Sequence, residues 1–271
     1  MAGTSAAERG YALLASGDRR TAAAAFRQAI EQGADDPRVP QWYAQLRYLE
    51  QRWSGTAYML ARNSGRSLPT ATIPALTAAQ SGAQVAYTLN PLDPQPFALQ
   101  GRVVTANDGI ALNTGSAQAA VAVTWRPVPA VQVAAERLIR AGRKSRNAWT
   151  VRVAAGGETP RPAGRKAWNA WSAYAETGIV GTRRQDLYAA TAARGGRAFD
   201  LSDKVALTLG GGIWASVQHY DRTAHWIEVG PSAQLRIESQ PPVNVALDYR
   251  WRINGNADPG TGPALTVSTG F

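Results

Sequence analysis

Cysteine is absent from the 271 residues, and histidine and methionine occur only twice each. Without thiols the chain can form neither disulfides nor thiolate metal sites, and the count leaves the redox compartment open. No run approaches the roughly 18–20 consecutive apolar residues that a membrane helix needs, so a helical membrane protein is excluded. Residues 1–20 also lack a basic segment followed by an apolar one, so no secretion signal is readable and a truncated or misassigned start is expected. Acidic residues are the scarcer charge, 19 against 29 basic, for a net charge of +10. No RNP, zinc-finger or helix-turn-helix pattern accompanies that excess, so nucleic acid is not expected as a partner. Neither Gly-x-Ser-x-Gly, nor His-Glu-x-x-His, nor a dinucleotide fingerprint occurs. These absences point away from an enzyme, a cofactor and a metal site.

What is present is a period of two. The last residues, Leu265-Thr266-Val267-Ser268-Thr269-Gly270-Phe271, alternate apolar with small or polar side chains and end on an aromatic, as outer-membrane β-barrels do. Before them, Val243, Val245, Leu247, Tyr249, Trp251 and Ile253 share one face, and Asn244, Ala246, Asp248, Arg250 and Arg252 the other. An ordinary soluble core does not take an Asp and two Arg on its inner face. A hydrated barrel lumen does, and the apolar row then faces lipid. The same pattern predicts strands near 53–63, 81–91, 96–106, 117–126, 130–140, 147–156, 167–177, 185–195, 203–218, 225–239, 242–253 and 263–271. That makes about twelve, an even number that returns both ends of the barrel to one side. Pro-rich segments at 90–96, 127–129 and 240–242 predict compact turns on the periplasmic side. The connections near 157–166 and 196–202 are longer than that side usually carries.

Residues 1–52 read differently. Ala6, Ala7, Tyr11, Leu13 and Leu14, a Gly17-Asp18 turn, then Ala22, Ala25, Phe26, Ala29 and Ile30 give helical spacing up to Gly33. A further helix is expected from about Pro40 to Gln51. The hairpin resembles one tetratricopeptide repeat, through Gly10, Gly17, Ala22, Phe26 and Ala29, and suggests the end of a longer periplasmic solenoid.

The face opposite the apolar rows supplies candidate lumen residues: Gln132, Glu136, Thr150, Arg152, Gln234, Arg236, Glu238, Asp248, Arg250 and Arg252. Such a wall can hydrogen-bond a carbohydrate or anionic polymer. It can equally form a salt-bridged filling of a small barrel. Trp125, Trp149 and Trp251 fall on apolar rows and, with Phe271, are expected at the membrane interface. Trp214 faces inward if Ile213 faces lipid, while the sequence leaves the facing of Trp168 and Trp171 open; Trp125, Trp149, Trp226 and Trp251 would alternatively offer a sugar-stacking surface. His219 and His225 with Asp221 imitate a metal site only weakly and suit a polar loop. Gly210-Gly211-Gly212 lacks the Lys-Ser/Thr of a phosphate loop and suits a bend in a long strand. Basic groups gather between strands, at Arg143-Lys144-Ser145-Arg146, Arg165-Lys166 and Arg183-Arg184, where outer-membrane lipids and lipopolysaccharide phosphates are the expected contacts.

The segments Gln118-Ala119-Ala120-Val121-Ala122-Val123-Thr124-Trp125-Arg126-Pro127, Ala134-Ala135-Glu136-Arg137 and Asn147-Ala148-Trp149-Thr150-Val151-Arg152-Val153-Ala154-Ala155 resemble the C-terminal domain of the bacteriophage adsorption protein A family (NfrA). The likeness covers roughly residues 115–271. It implies an outer-membrane barrel after a tetratricopeptide superhelix, partnered with an inner-membrane glycosyltransferase, passing an exopolysaccharide and sometimes exploited for phage adsorption. The expectation is thus a transmembrane antiparallel β-barrel over 53–271 in the cell outer membrane, acting as a passive polymer conduit. The rivals are a plugged barrel serving as receptor or anchor, and a soluble β-sandwich or barrel enzyme.

Overall fold

Three helices precede a closed antiparallel barrel in the computed structural model, which describes residues 2–62, 79–108, 111–182, 185–219, 223–257 and 260–271. Helices α1 (Ala2–Ala15) and α2 (Arg19–Gln32) form the expected hairpin, and α3 (Val39–Glu50) packs on α2. Phe26, Ala22, Ala29, Trp42 and Leu49 make their core; Gly10 lies flat against the Phe26 ring, where a methyl group would come within 3.1 Å of it. Asp18 starts α2 by accepting the Thr21 amide at 3.0 Å, which holds its carboxyl below the usual carboxylate value. The cap is therefore present above that usual value and lost as pH falls through the lowered one. Asp18→Ala should speed amide exchange in the first turn of α2 several-fold in the intact protein; unchanged exchange would remove the cap from the account. The helices meet the barrel through Leu92, packed on their core, and through Arg19, which donates to the Pro91 carbonyl at 3.2 Å.

The barrel strands are β1 (Trp53–Arg62), β2 (Gln80–Thr88), β3 (Phe97–Asp108), β5 (Gln118–Val128), β6 (Val131–Arg140), β7 (Ala148–Glu158), β8 (Ala167–Val180), β9 (Asp186–Ser202), β10 (Val205–His219), β11 (Thr223–Ile237), β12 (Val243–Gly255) and β13 (Gly262–Gly270). A two-residue strand, β4 (Ala111–Leu112), only extends the end of β3. Each barrel strand pairs antiparallel with its neighbours in sequence order, and β1 closes the ring on β13 through a register that runs from Thr56↔Gly270 to Arg62↔Ala264. The Phe271 ring lies over Gly55 at this seam, and Phe271 and Gly55 exchange backbone hydrogen bonds of 2.9 Å.

Two expected boundaries are corrected. Residues 196–202 are strand rather than connection, because β9 runs 17 residues and turns into β10 through residues 203–204 alone. The turn expected at 127–129 moves to 129–130, as β5 continues to Val128 past a register break at Pro127. The connection 159–166 stays long, and Arg161 ties it to the β9–β10 turn through the Ser202 and Asp203 carbonyls and the Asp200 carboxylate. The connections left between the expected strands at 64–80, 107–116, 178–184, 219–224 and 254–262 shrink, since 80, 107–108, 178–180, 219, 223–224, 254–255 and 262 are strand, and each lies partly outside the described residues, Arg183 and Arg184 among them.

Outward positions carry Leu99, Val121, Val123, Val151, Leu209, Ile213, Leu247 and Ile253, all exposed, with no second sheet over them among the described residues. The single closed ring of strands excludes a two-sheet sandwich. Polar groups are buried inward instead, with Glu136 and Glu228 at 0% exposure and Asp248 at 1%. A barrel that is apolar outside and ionic inside inverts the arrangement of a soluble core. The glycine run lies inside a continuous strand, and Gly210 faces inward against β9, where a Cβ would sit 2.0 Å from the Gly195 carbonyl oxygen.

Candidate functional site: the barrel lumen

Alternation along each strand aims every second side chain at the lumen, and long-range pairs form there because strands far apart in sequence face one another. Four ionic clusters result. Arg62 of β1 makes a two-pronged contact with Glu228 of β11 at 3.0 and 3.1 Å, and Arg252 of β12 joins the same carboxylate at 3.1 Å. Asp248 of β12 accepts from Arg194 of β9 at 2.8 Å, Arg250 at 2.9 Å and Ser232 at 2.7 Å. Glu136 of β6 is held by Arg102 of β3 at 2.6 Å and Arg152 of β7 at 2.9 Å, with Glu176 of β8 3.7 Å beyond. Near the end that carries the helices, Arg236 of β11 bonds Glu158 of β7 at 2.9 Å and Glu238 at 2.8 Å. Arg62–Glu228, Arg194–Asp248 and Arg236–Glu158 all join strands that are not neighbours in the sheet, so they cut across the lumen.

The candidates Glu136, Arg152, Gln234, Arg236, Asp248, Arg250 and Arg252 all lie on the inward face. Gln132 also faces in, donating to Gln100 Oε1 at 3.3 Å, and Gln100 donates on to Gln84 at 2.6 Å. Thr150 is inward and 3% exposed. Glu238 lies just beyond β11, in the turn rather than on the strand. The sequence reading missed Arg62, Arg102, Glu158, Glu176, Arg194 and Glu228, which complete the clusters. Glu228 shares the parity of Gln234 and Arg236, and that signal could have found it.

The aromatics sort by the same parity. Trp125, Trp149, Trp251 and Phe271 point outward, at 36%, 56%, 49% and 65% exposure. Trp125 stacks with Phe97 at 6.3 Å, and Trp53 packs on Tyr87, all near the helix-bearing end; Trp149 and Trp251 mark the opposite end. Trp171 is also outward, whereas Trp168, Trp214 and Trp226 are buried inward. Trp214 lies under both Arg250 and Arg194, at 4.3 and 5.3 Å from its ring centre.

A segment at the loop end enters the lumen. Gly255, at φ +131, turns the chain where a side chain would meet the His225 carbonyl at 2.4 Å, so Ala257 can pack on Trp214 and Trp226. Arg252 donates to the Ala257 carbonyl, and Arg62 to that of Gly260 at 3.2 Å. The arginines that clamp Glu228 thus also hold this cover down. Below it a chamber of about 710 Å³ extends toward the helix-bearing end, past Tyr58, Gln84, Arg102, Tyr174, Thr266 and Ser268. His219 bonds Thr223 at 2.8 Å and His225 bonds Asn254 at 3.2 Å, while Asp221 lies outside the described residues.

The sequence matches no protein-family model and none of the curated proteins. Among solved structures the chain is similar to LpxR from Salmonella typhimurium, at 10% identity over 80% of this chain and 99% of that one, with a TM-score of 0.38. It is similar to the COG4313 outer membrane channel from Pseudomonas putida F1, at 10% identity over 81% and 94%, with a TM-score of 0.41. The siderophore receptor PirA from Pseudomonas aeruginosa follows at 14% identity and a TM-score of 0.35; the match takes 81% of this chain but only 44% of the receptor. Likeness at this level assigns no activity. The expectation that the chain is not an enzyme is nonetheless withdrawn, because it rested on missing sequence motifs, and their absence does not exclude catalysis. The motifs sought in the sequence belong to other folds, and on a barrel reacting groups converge from separate strands without a shared motif.

Proposed function

We propose that the chain spans the outer membrane as a closed barrel whose lumen is shut at rest, and that it serves there as a surface receptor or anchor. The outward apolar rows and the aromatics at both ends support the membrane placement. The shut lumen rests on one observation, the ion pairs that cross between strands not adjacent in the sheet. Acid and base are nearly balanced among them, so they satisfy one another and leave little net field to draw an ion through.

A second reading follows the NfrA-like segments: an exopolysaccharide conduit whose tetratricopeptide-like helices meet a partner such as an inner-membrane glycosyltransferase. The chamber of about 710 Å³ favours it, since a wall of amides and hydroxyls suits a sugar chain. Planar-bilayer recording of the full chain separates the two. A receptor or anchor should show no steady conductance, and a stable ohmic channel in the unmodified protein would sink the shut-lumen proposal.

A further inference from the structure

The outer wall carries a furrow that no lumen function uses. On β7 to β10 the outward side chains shrink to Ala155, Ala175, Thr177, Ala189, Thr191 and Ala215, leaving an apolar hollow of about 620 Å³ in the loop-end half of the barrel. Val153, Val217 and Ile227 wall it, and His225 closes its outer end. Both threonines are already satisfied, Thr177 donating to the Tyr188 carbonyl at 2.9 Å and Thr191 to that of Tyr174 at 3.1 Å. Neither hydroxyl is left to donate, so the middle of the hollow is apolar and suits a hydrocarbon occupant.

We propose that this furrow seats an acyl chain of a phosphorylated, multiply acylated lipid in the loop-side leaflet, a step that rests on the membrane-spanning placement above. Two features select this occupant. A second copy related by a two-fold axis would set hollow against hollow and leave the space unfilled, whereas a flexible chain fills it. The wall beside its β7 edge is basic: Arg143 and Lys144 stand exposed in the loop that leads into β7, and Arg137 on β6 faces outward over the Trp149 ring at 5.4 Å. Such a wall complements a phosphate headgroup.

The test adds diphosphoryl lipid A, or phosphatidylethanolamine as control, to the detergent-purified full chain and counts retained lipid by native mass spectrometry. Filling the furrow with Ala175→Leu, Ala189→Leu and Ala215→Leu should cut lipid A retention at least several-fold, while Ala135→Leu, outward but outside the furrow, should not. Arg143→Ser with Lys144→Ser should reduce the preference for the phosphorylated lipid. Equal retention by the filled and unfilled proteins overturns the furrow site, and an unchanged preference in the charge variant overturns the phosphate contact. Flotation of the unmodified chain with vesicles is scored separately: a chain that fails to float defeats the membrane placement, and the lipid proposal with it.

Discussion

Glu228→Gln is expected to destabilise the barrel by about 3–5 kcal/mol, the usual cost of removing one partner from a buried ionic cluster. Glu228 is fully buried and accepts from both Arg62 and Arg252, whose side chains are 3% and 14% exposed. A neutral amide leaves two guanidinium groups enclosed without their counter-charge and turns an NH₂ toward donors. The same arginines hold the Ala257 and Gly260 carbonyls, so the cover at the loop end should loosen as well. Two measurements follow, the urea midpoint in lipid vesicles and the conductance in planar bilayers. The midpoint should fall and intermittent openings should appear. Glu238→Gln is the control: its side chain is 34% exposed in the turn beyond β11, where an ion pair contributes about 0–1 kcal/mol. Equal midpoints for the two variants would show that the cross-lumen cluster does not hold the barrel shut.

Leu247→Arg should cost about 2–4 kcal/mol when the barrel folds into vesicles, the range for a cation on the lipid face near the bilayer middle. Leu247 lies mid-way along β12, 56% exposed, between Ala233 and Leu265 on the flanking strands, which face the same way. Thr266 on β13 pairs beside Ala246 and lines the chamber. Thr266→Arg places the same charge one strand away but inside hydrated space, so its cost should stay near or below 1 kcal/mol, as for charges outside the hydrocarbon. The difference between the variants, read from urea titrations, measures the sidedness of the wall. Equal costs would mean that the outer rows do not meet hydrocarbon.

Parity was the most legible property of the sequence. Val243 to Ile253 alternate so regularly that the facing of Asp248, Arg250 and Arg252 could be stated without coordinates, because the side-chain period of a strand is fixed at two. The strand β9, expected to end at 195, runs on to Ser202, and Gly196 sits inside it where a Cβ would meet the Leu209 carbonyl of β10 at 2.2 Å. The lumen candidates were named as a face, but their partners were not. Arg62 and Glu228 are 166 residues apart, and nothing local in either segment announces the other.

The order of residues by itself determined which side chains face the same way, where the helices give way to strands, and that the interior is ionic while the exterior is apolar. These follow from local periodicity and from the cost of leaving charge in hydrocarbon. Only the tertiary structure decided which charge meets which, that the pairs cross the lumen, that Ala257 turns in over Trp214 and Trp226, and that small residues on four neighbouring strands combine into one furrow. Those depend on ring closure, which sets the angle and height of each strand against others distant in sequence, and no window of the chain contains that information.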